Sequence, residues 1–264
     1  TKKSNIKRAH EWTFMGDEDY PVNLFHFTQG RSRAGPREFL PGFKGYLLGD
    51  CFSGNRALCA ETGATFVACR AHDRRYYMKA RANNKESCDE MLDMYEELFE
   101  VERAARELQL SSQDVVLMRK QESVPILNRM KKWIDEHVLG ALPASSFGKA
   151  LSYSLNNWEA LNRFLDDGDI RIDNNLAEQQ MKMFATGRKN FYFYGSDEAG
   201  PQASIILSLL STCVRNNVEP GKYLYDVLLR LTENPLADPA DLMPHTWKPA
   251  EIPDVKDAPQ MANI

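Results

Sequence analysis

From about Ala71 to Asp167 the chain follows a helical hydrophobic period for nearly a hundred residues, and the sequence on either side does not. Before this stretch, His10 to Met15 and Asn23 to Thr28 are short aromatic and β-branched runs around the turn-rich Gly16-Asp17-Glu18-Asp19-Tyr20-Pro21, the pattern of a hairpin. Arg37 to Phe43 reads as a short helix, Gly45 to Gly49 as a buried strand ending at Asp50, Ser53 to Thr62 as a helix and Thr65 to Arg70 as a further strand. After it, Ile170 to Ile172 reads as extended, Asn174 to Thr186 as helical, Asn190 to Tyr194 as strand-like, and Pro201 to Asn217 and Gly221 to Thr232 as helices. The returning mixed part is too small to carry a sheet of its own, so the prediction is one α/β fold interrupted by an all-helical insertion, not two consecutive domains. The expected bounds are 1–82 and 168–200 for the α/β body, 83–167 for the insertion, 201–234 for a C-terminal helical element and 235–264 for a tail. Breaks inside the helical stretch are expected near Gln109 to Ser112, around Pro125 and at Leu139 to Ser145.

Composition closes several alternatives. With 43% hydrophobic and 27% charged residues the chain is not disordered throughout. Its longest apolar run, Ser204 to Val214, is far short of the roughly 18 to 20 residues that span a bilayer, so no membrane association is expected. Cys51, Cys59, Cys69, Cys88 and Cys213 form an odd set without a C-x-x-C pair, which points to a reducing, cytoplasmic location and to no zinc, even though Cys69 and His72 stand three apart. The six prolines of the tail predict an extended or partly disordered arm, with Trp247 docking back on its own domain.

The formal net charge of −4 argues against nucleic acid until its distribution is considered. Between Lys85 and Glu107 nine acidic residues face three basic ones, whereas Arg70 to Arg81 holds five basic residues and only Asp73. A basic face can therefore coexist with an acidic helical module.

Two carboxylates stand where chemistry could be done. Asp50 ends a buried strand in GYLLGDCFSGN, which places it at the carboxyl edge of a sheet, where sites in such folds gather; the competing reading is a turn or cap aspartate. Glu178 shares a helical face with Asn174 and Lys182, so a carboxylate is flanked by an amide and a cation; the competing reading is a capping box with Asn175. Thr186-Gly187-Arg188-Lys189-Asn190 offers a glycine-opened turn able to clamp phosphate. Ala71-His72-Asp73-Arg74-Arg75-Tyr76-Tyr77 joins a histidine, two arginines and two aromatics, which suits a DNA backbone or a flipped base as well as it suits a solvated basic face.

In order, GFKGYLLGDCFSGN (Gly42 to Asn55), CRAHDRRYY (Cys69 to Tyr77), FGKALSYSLNNWEALNRFLDDG (Phe147 to Gly168), IDNNLAEQQMKMFATGRKNFYFYGSDEAG (Ile172 to Gly200) and LLSTCVRNNVEPGKYLYDVLLRL (Leu209 to Leu231) resemble the DDE transposases of the insertion-sequence sixty-six family. The resemblance implies a ribonuclease-H-like mixed sheet whose Asp, Asp and Glu hold two Mg2+ (or Mn2+) ions for DNA strand cleavage and joining. Asp50 falls on the second aspartate and Glu178 on the glutamate, and the helices between them correspond to an insertion. His72, Arg74, Arg75, Asn174, Lys182, Arg188 and Lys189 become the expected DNA contacts, with double-stranded DNA and further copies of the chain as partners. By the same resemblance the first aspartate would precede Thr1, and the chain alone would be inactive. Asp17 and Asp19 are not accepted as substitutes, because turn acids are ordinarily solvated. Gln179 and Lys182 stand where such enzymes often carry arginine. The competing functions are a non-catalytic remnant that still binds DNA and a helical protein-interaction module.

Overall fold

The long helical period becomes a run of packed helices in the computed structural model, which describes residues 9–30, 34–191 and 194–249. The chain divides into two compact units, Arg31–Gln179 and Thr1–Gly30 with Gln180–Ile264.

The first of these, the helical unit, begins with α1 (Ala34–Phe39), β1 (Tyr46–Gly49), α2 (Ser53–Thr62) and β2 (Thr65–Ala68). The strands pair in parallel with Tyr46 opposite Thr65 and Gly49 opposite Ala68, and α2 supplies the crossover that a parallel pair requires. Helices α3 (Arg70–Ala80), α4 (Lys85–Glu107), α5 (Ser112–Met118), α6 (Val124–Val138) and α7 (Ser146–Asn162) follow. The expected break near Gln109 is present, with Gln109 at positive φ and Ser111 capping α5 through Asp114 N. The expected break at Leu139 to Ser145 is also present, and Ser145 caps α7 by accepting from Gly148 N at 2.9 Å. Around Pro125 the chain does not stop. A π-helical turn at Arg119–Ser123 leads straight into α6, and Pro125 stands in the first turn after it, where the backbone bonding changes from π to α.

One face of α4 is the centre of this unit. Cys88, Met91, Tyr95 and Leu98 are fully buried against Met130 and Ile134 of α6 and Ala150 and Leu151 of α7. Each large apolar side chain of this kind contributes about 1.5–3 kcal/mol. The acidic residues Glu96, Glu97 and Glu100 lie on the exposed side of the same helix, so its charge is a solvated face over a used core.

In the second unit, β3 (His10–Met15) and β4 (Asn23–Thr28) form the expected antiparallel hairpin, with Trp12 opposite His26. Helix α8 (Asn175–Phe191) crosses the division between the units, and α9 (Ala199–Arg215), α10 (Pro220–Glu233) and α11 (Pro239–Leu242) complete the described elements. Helix α9 lies against β4 through hydroxyl groups. Thr212 Oγ1 accepts from Asn23 N at 3.0 Å and Ser208 Oγ from Phe25 N at 2.8 Å, so residues four apart on the helix serve alternate amides of the strand. Gly200 makes the approach feasible, since a Cβ there would lie 2.5 Å from the Phe27 ring.

Three expectations fail here. Thr186 to Asn190 is helical within α8 rather than a turn, and Asn190 and Phe191 continue that helix instead of starting a strand, while residues 192–193 lie outside the described set. Aromatic content suggested the strand, but the uninterrupted helix carries the backbone hydrogen bonds past Gly187. The first half of the tail is not an extended arm either. Tyr223 Oη donates to Leu242 O at 2.7 Å, and Trp247 docks as expected, donating to Asp226 Oδ2 at 2.6 Å beside the Tyr223 ring. Among the described residues the strands form two separate two-stranded sheets.

Candidate active site and nucleic-acid interface

The carboxyl ends of the parallel strands assemble the candidate site. Backbone bonding carries β1 and β2 to the same edge, where Cys69 N donates to Gly49 O at 3.0 Å. Asp50 follows immediately. Its Oδ1 accepts from Phe52 N at 3.3 Å and from Asn55 Nδ2 at 3.1 Å, which is the geometry of a turn aspartate. Gly49 leaves room for this, since a Cβ there would stand 3.1 Å from the Asn55 amide nitrogen.

The start of α8 reaches the same edge through Cys69. The thiol sulfur accepts from Asn174 N at 3.5 Å, and Arg70 N donates to Ile172 O at 3.1 Å. Burial pushes the Cys69 thiol up to about 11, so the sulfur serves as a neutral acceptor. Asp50 and Glu178, 128 residues apart in sequence, therefore lie on segments bonded to the same strand end.

Glu178 is held from α3. Arg75 Nη2 lies 2.9 Å from Oε2, Arg75 Nη1 3.5 Å from Oε1, and His72 Nε2 3.1 Å from Oε1. Arg75 also donates to Asn175 Oδ1 at 3.2 Å. The hydrogen bond to Glu178 raises the pKa of the guanidinium, which strengthens its hold on charge. The capping-box alternative does not occur, because the first turn of α8 is served instead by Asp173 Oδ1, which accepts from Asn175 N at 2.9 Å.

Helix α3 has two faces of opposite use. His72, Arg75, Tyr76 and Lys79 follow the i, i+3, i+4, i+7 spacing of one stripe, and Arg75, Tyr76 and Lys79 are exposed. Arg70, Asp73, Tyr77 and Ala80 form the buried stripe. Asp73 accepts from Ser154 at 2.6 Å and from Tyr95 at 2.5 Å, with Arg70 Nη1 3.8 Å away. Burial raises its carboxyl pKa, and Arg70, Ser154 and Tyr95 oppose that rise. Arg70 further donates through Nε to Leu161 O at 3.1 Å and reaches Asn162. This network fixes the helix that presents His72 and Arg75, and it was not anticipated. The sequence signal was the three-to-four spacing of Arg70, Asp73 and Tyr77, which polar character disguised.

Other expected residues are dispersed. Arg74 is half-buried on α3, Asn174 precedes α8 with its Oδ1 buried, and Lys182 is exposed on α8 in the other unit. Arg188 and Lys189 lie within α8, and their side chains fall outside what the structure describes. Tyr153 of α7, which sequence reasoning missed, stacks on Tyr76 and shares a hydrogen bond with the Cys51 side chain next to Asp50.

Asp50 and Glu178 offer hard oxygen donors of the kind Mg2+ prefers, and the buried Oδ1 of Asn174, one turn before Glu178 in sequence, has no hydrogen-bond partner among the described residues. Among the described residues, however, no three His, Cys, Asp or Glu side chains converge as a metal-holding group. The donor chemistry fits a divalent ion, whereas the number of carboxylates falls short of a complete two-ion cage.

The site thus sets an acidic residue at the carboxyl edge of a parallel strand pair, joined by a glutamate helix that follows a long helical run. The family model described as Transposase IS66 family matches residues 1–202, and the chain belongs to that family. Among curated proteins it is 29% identical over 267 aligned positions to uncharacterized protein y4hP of Sinorhizobium fredii (strain NBRC 101917 / NGR234), covering 92% of this chain and 48% of that protein. It is 31% identical over 262 positions to uncharacterized protein y4qI of the same strain, covering 93% of this chain and 48% of that one. The chain spans about half the length of the curated relatives it matches. No solved structure matches it. No described helix is long and apolar enough to cross a membrane.

Proposed function

We propose that this chain carries the DNA-strand-cleaving and joining centre of an insertion-sequence transposase, with Asp50 and Glu178 as two of its three metal-binding carboxylates. The observation that supports this most directly is that both residues lie on segments bonded to the same strand end through Cys69 despite their separation. On this reading the strands belong to a ribonuclease-H-like body and residues 83–167 are its helical insertion. The divalent ions, when bound, would activate the attacking hydroxyl and stabilise the leaving oxygen of an in-line phosphoryl transfer.

The protein's own groups have distinct tasks in this scheme. In the free chain the Arg75 guanidinium pairs with Glu178, and His72 Nε2 lies 3.1 Å from its Oε1. A DNA phosphate arriving at α3 competes for the Arg75 fork, for which guanidinium geometry is well suited, and releases Glu178 to bind a cation. Arg74 and Asn174 in the helical unit, and Lys182, Arg188 and Lys189 in the other, are each assigned to DNA-backbone contacts, which position without reading sequence. Assembly of several copies on two DNA ends is part of the proposal.

The test is metal-dependent nicking of insertion-sequence end DNA. The 264-residue chain alone is expected to be inactive, because two carboxylates are a poor cage for two ions, and a protein extended to the length of the relatives is expected to cleave with Mg2+ or Mn2+. Asp50→Asn or Glu178→Gln in the extended protein should abolish cleavage while DNA binding persists. Robust cleavage by either variant would remove these residues from the centre. Salt-dependent DNA binding without cleavage in the extended protein would favour the remnant reading. The interaction-module reading has less support, since the apolar face of α4 is already consumed in its own core.

A further inference from the structure

Two stacked phenol rings adjoin the neighbours of the candidate carboxylates. Tyr76 and Tyr153 are stacked with centroids 4.3 Å apart and planes 25° apart. Tyr153 is half-buried and tied to Cys51, the neighbour of Asp50, whereas Tyr76 remains 36% exposed. On α3, Tyr76 lies four residues after His72 and directly after Arg75, the two residues that hold Glu178. The Lys79 ammonium sits 5.9 Å from the Tyr76 centroid. The pair thus connects the Asp50 loop to the stripe of α3 that grips Glu178, with a cation over the Tyr76 ring.

We propose that the Tyr76–Tyr153 stack is a platform for an unpaired nucleobase of the DNA strand being processed, with Lys79 taking the adjoining phosphate; this rests on the transposase reading above. The chemistry follows from the arrangement. A ring plane fixed from behind by a second ring loses little freedom when a base stacks on it, and every base has a π face, so the contact is tolerant of sequence. Bases inside a duplex have both faces covered by their neighbours, which limits the platform to a frayed, flipped or single-stranded nucleotide. Strand cleavage and joining expose such nucleotides at the reacting end. Lys79 shifts from the ring to a phosphate without cost to the fold, since its side chain is exposed.

The experiment compares a blunt duplex with the same duplex carrying a short single-stranded overhang that contains 2-aminopurine, both titrated against the full chain. The overhang is expected to bind about tenfold tighter, which lies within the range for stacking one base on an aromatic side chain, and the 2-aminopurine fluorescence should be quenched on binding. Tyr76→Phe and Tyr76→Trp should retain the preference and the quench. Tyr76→Leu, which keeps apolar bulk over Tyr153, should lose both while blunt-duplex binding stays within twofold. Arg75→Ala should weaken both DNAs equally and leave their ratio unchanged. Equal affinity of the native chain for the two DNAs, or a preference that survives in Tyr76→Leu, would overturn the platform while leaving the transposase reading intact. Failure to bind either DNA at low salt would overturn both.

Discussion

The two units handle polarity in opposite ways. The helical unit buries charged side chains with several partners each and presents a polar stripe outward on α3, from His72 to Lys79. The unit built on the hairpin and the C-terminal helices buries hydroxyls, and on α10 it presents Tyr225, Leu228 and Leu229 to solvent at 63%, 61% and 45% exposure while Tyr223, Asp226 and Val227 face inward. Two of the acids, the buried Asp73 and the half-buried Glu11, also differ. Asp73 accepts from two hydroxyls beside Arg70, whereas Glu11 accepts from the Ser204 hydroxyl at 2.6 Å and its Oε2 is buried without a partner among the described residues. A helix can therefore be anchored by a few directed polar bonds, which leaves its outward face free for chemistry. Anchoring by a short apolar stripe leaves further leucines on the surface.

The largest expected effect comes from breaking the anchor of α3. Asp73→Ala should cost about 3–5 kcal/mol, because it strands the buried Arg70 guanidinium and removes the acceptor of Tyr95 and Ser154. Urea denaturation measures this directly. A loss below about 1 kcal/mol would mean that apolar packing alone holds α3 and that the contrast between the units is superficial.

Glu11 gives a smaller effect with a definite pH dependence. Burial pushes its carboxyl up to about 7 from 4.5, with the Ser204 hydroxyl opposing the rise. The folded state thus keeps its proton while the unfolded chain gives it up, so this group's contribution to stability falls as pH rises from about 4.5 to 7 and is constant above. Glu11→Gln should flatten that slope and stabilise the protein at pH 8 by about 1 kcal/mol, far less than the shift at face value because the carboxylate is partly open to solvent. Melting temperatures of both proteins across that window decide it. An unchanged slope would show that Glu11 is better partnered than its geometry indicates.

The smallest effect sharpens the other side of the comparison. Leu228→Lys should change stability by no more than about 0.5 kcal/mol, since Leu228 contributes little to its own fold. A thermal shift of several degrees downward would reveal that the α10 stripe is covered in solution.

Much of this architecture was legible in the residues. The hairpin, the strands Tyr46–Gly49 and Thr65–Ala68, the breaks before α5 and α7 and the docking of Trp247 follow from aromatic and β-branched runs, turn-forming residues and an isolated tryptophan. The helical path through Thr186 to Asn190 was not legible, because Gly187 and the aromatic residues after it carry the local signature of a turn and strand. The tail misled for a similar reason. Its prolines suit short helical first turns as well as extended chain, as Pro239 does in α11.

The sequence by itself determined which residues are candidates for chemistry. A strand end and a helix start offered Asp50 and Glu178 beside turn and cap readings, the family resemblance singled both out, and the basic run of α3 offered cationic neighbours. Tertiary structure alone decided how these groups are engaged. Glu178 meets Arg75 and His72 rather than its own helix start, Cys69 joins the two carboxylate-bearing segments, and Tyr153 reaches from α7 to complete the stack with Tyr76. The physical reason is range. Strand and helix periods and caps are set by neighbours within a few residues, whereas the partner of a polar side chain is whichever group packing brings within about 3 Å, however far away it lies along the chain.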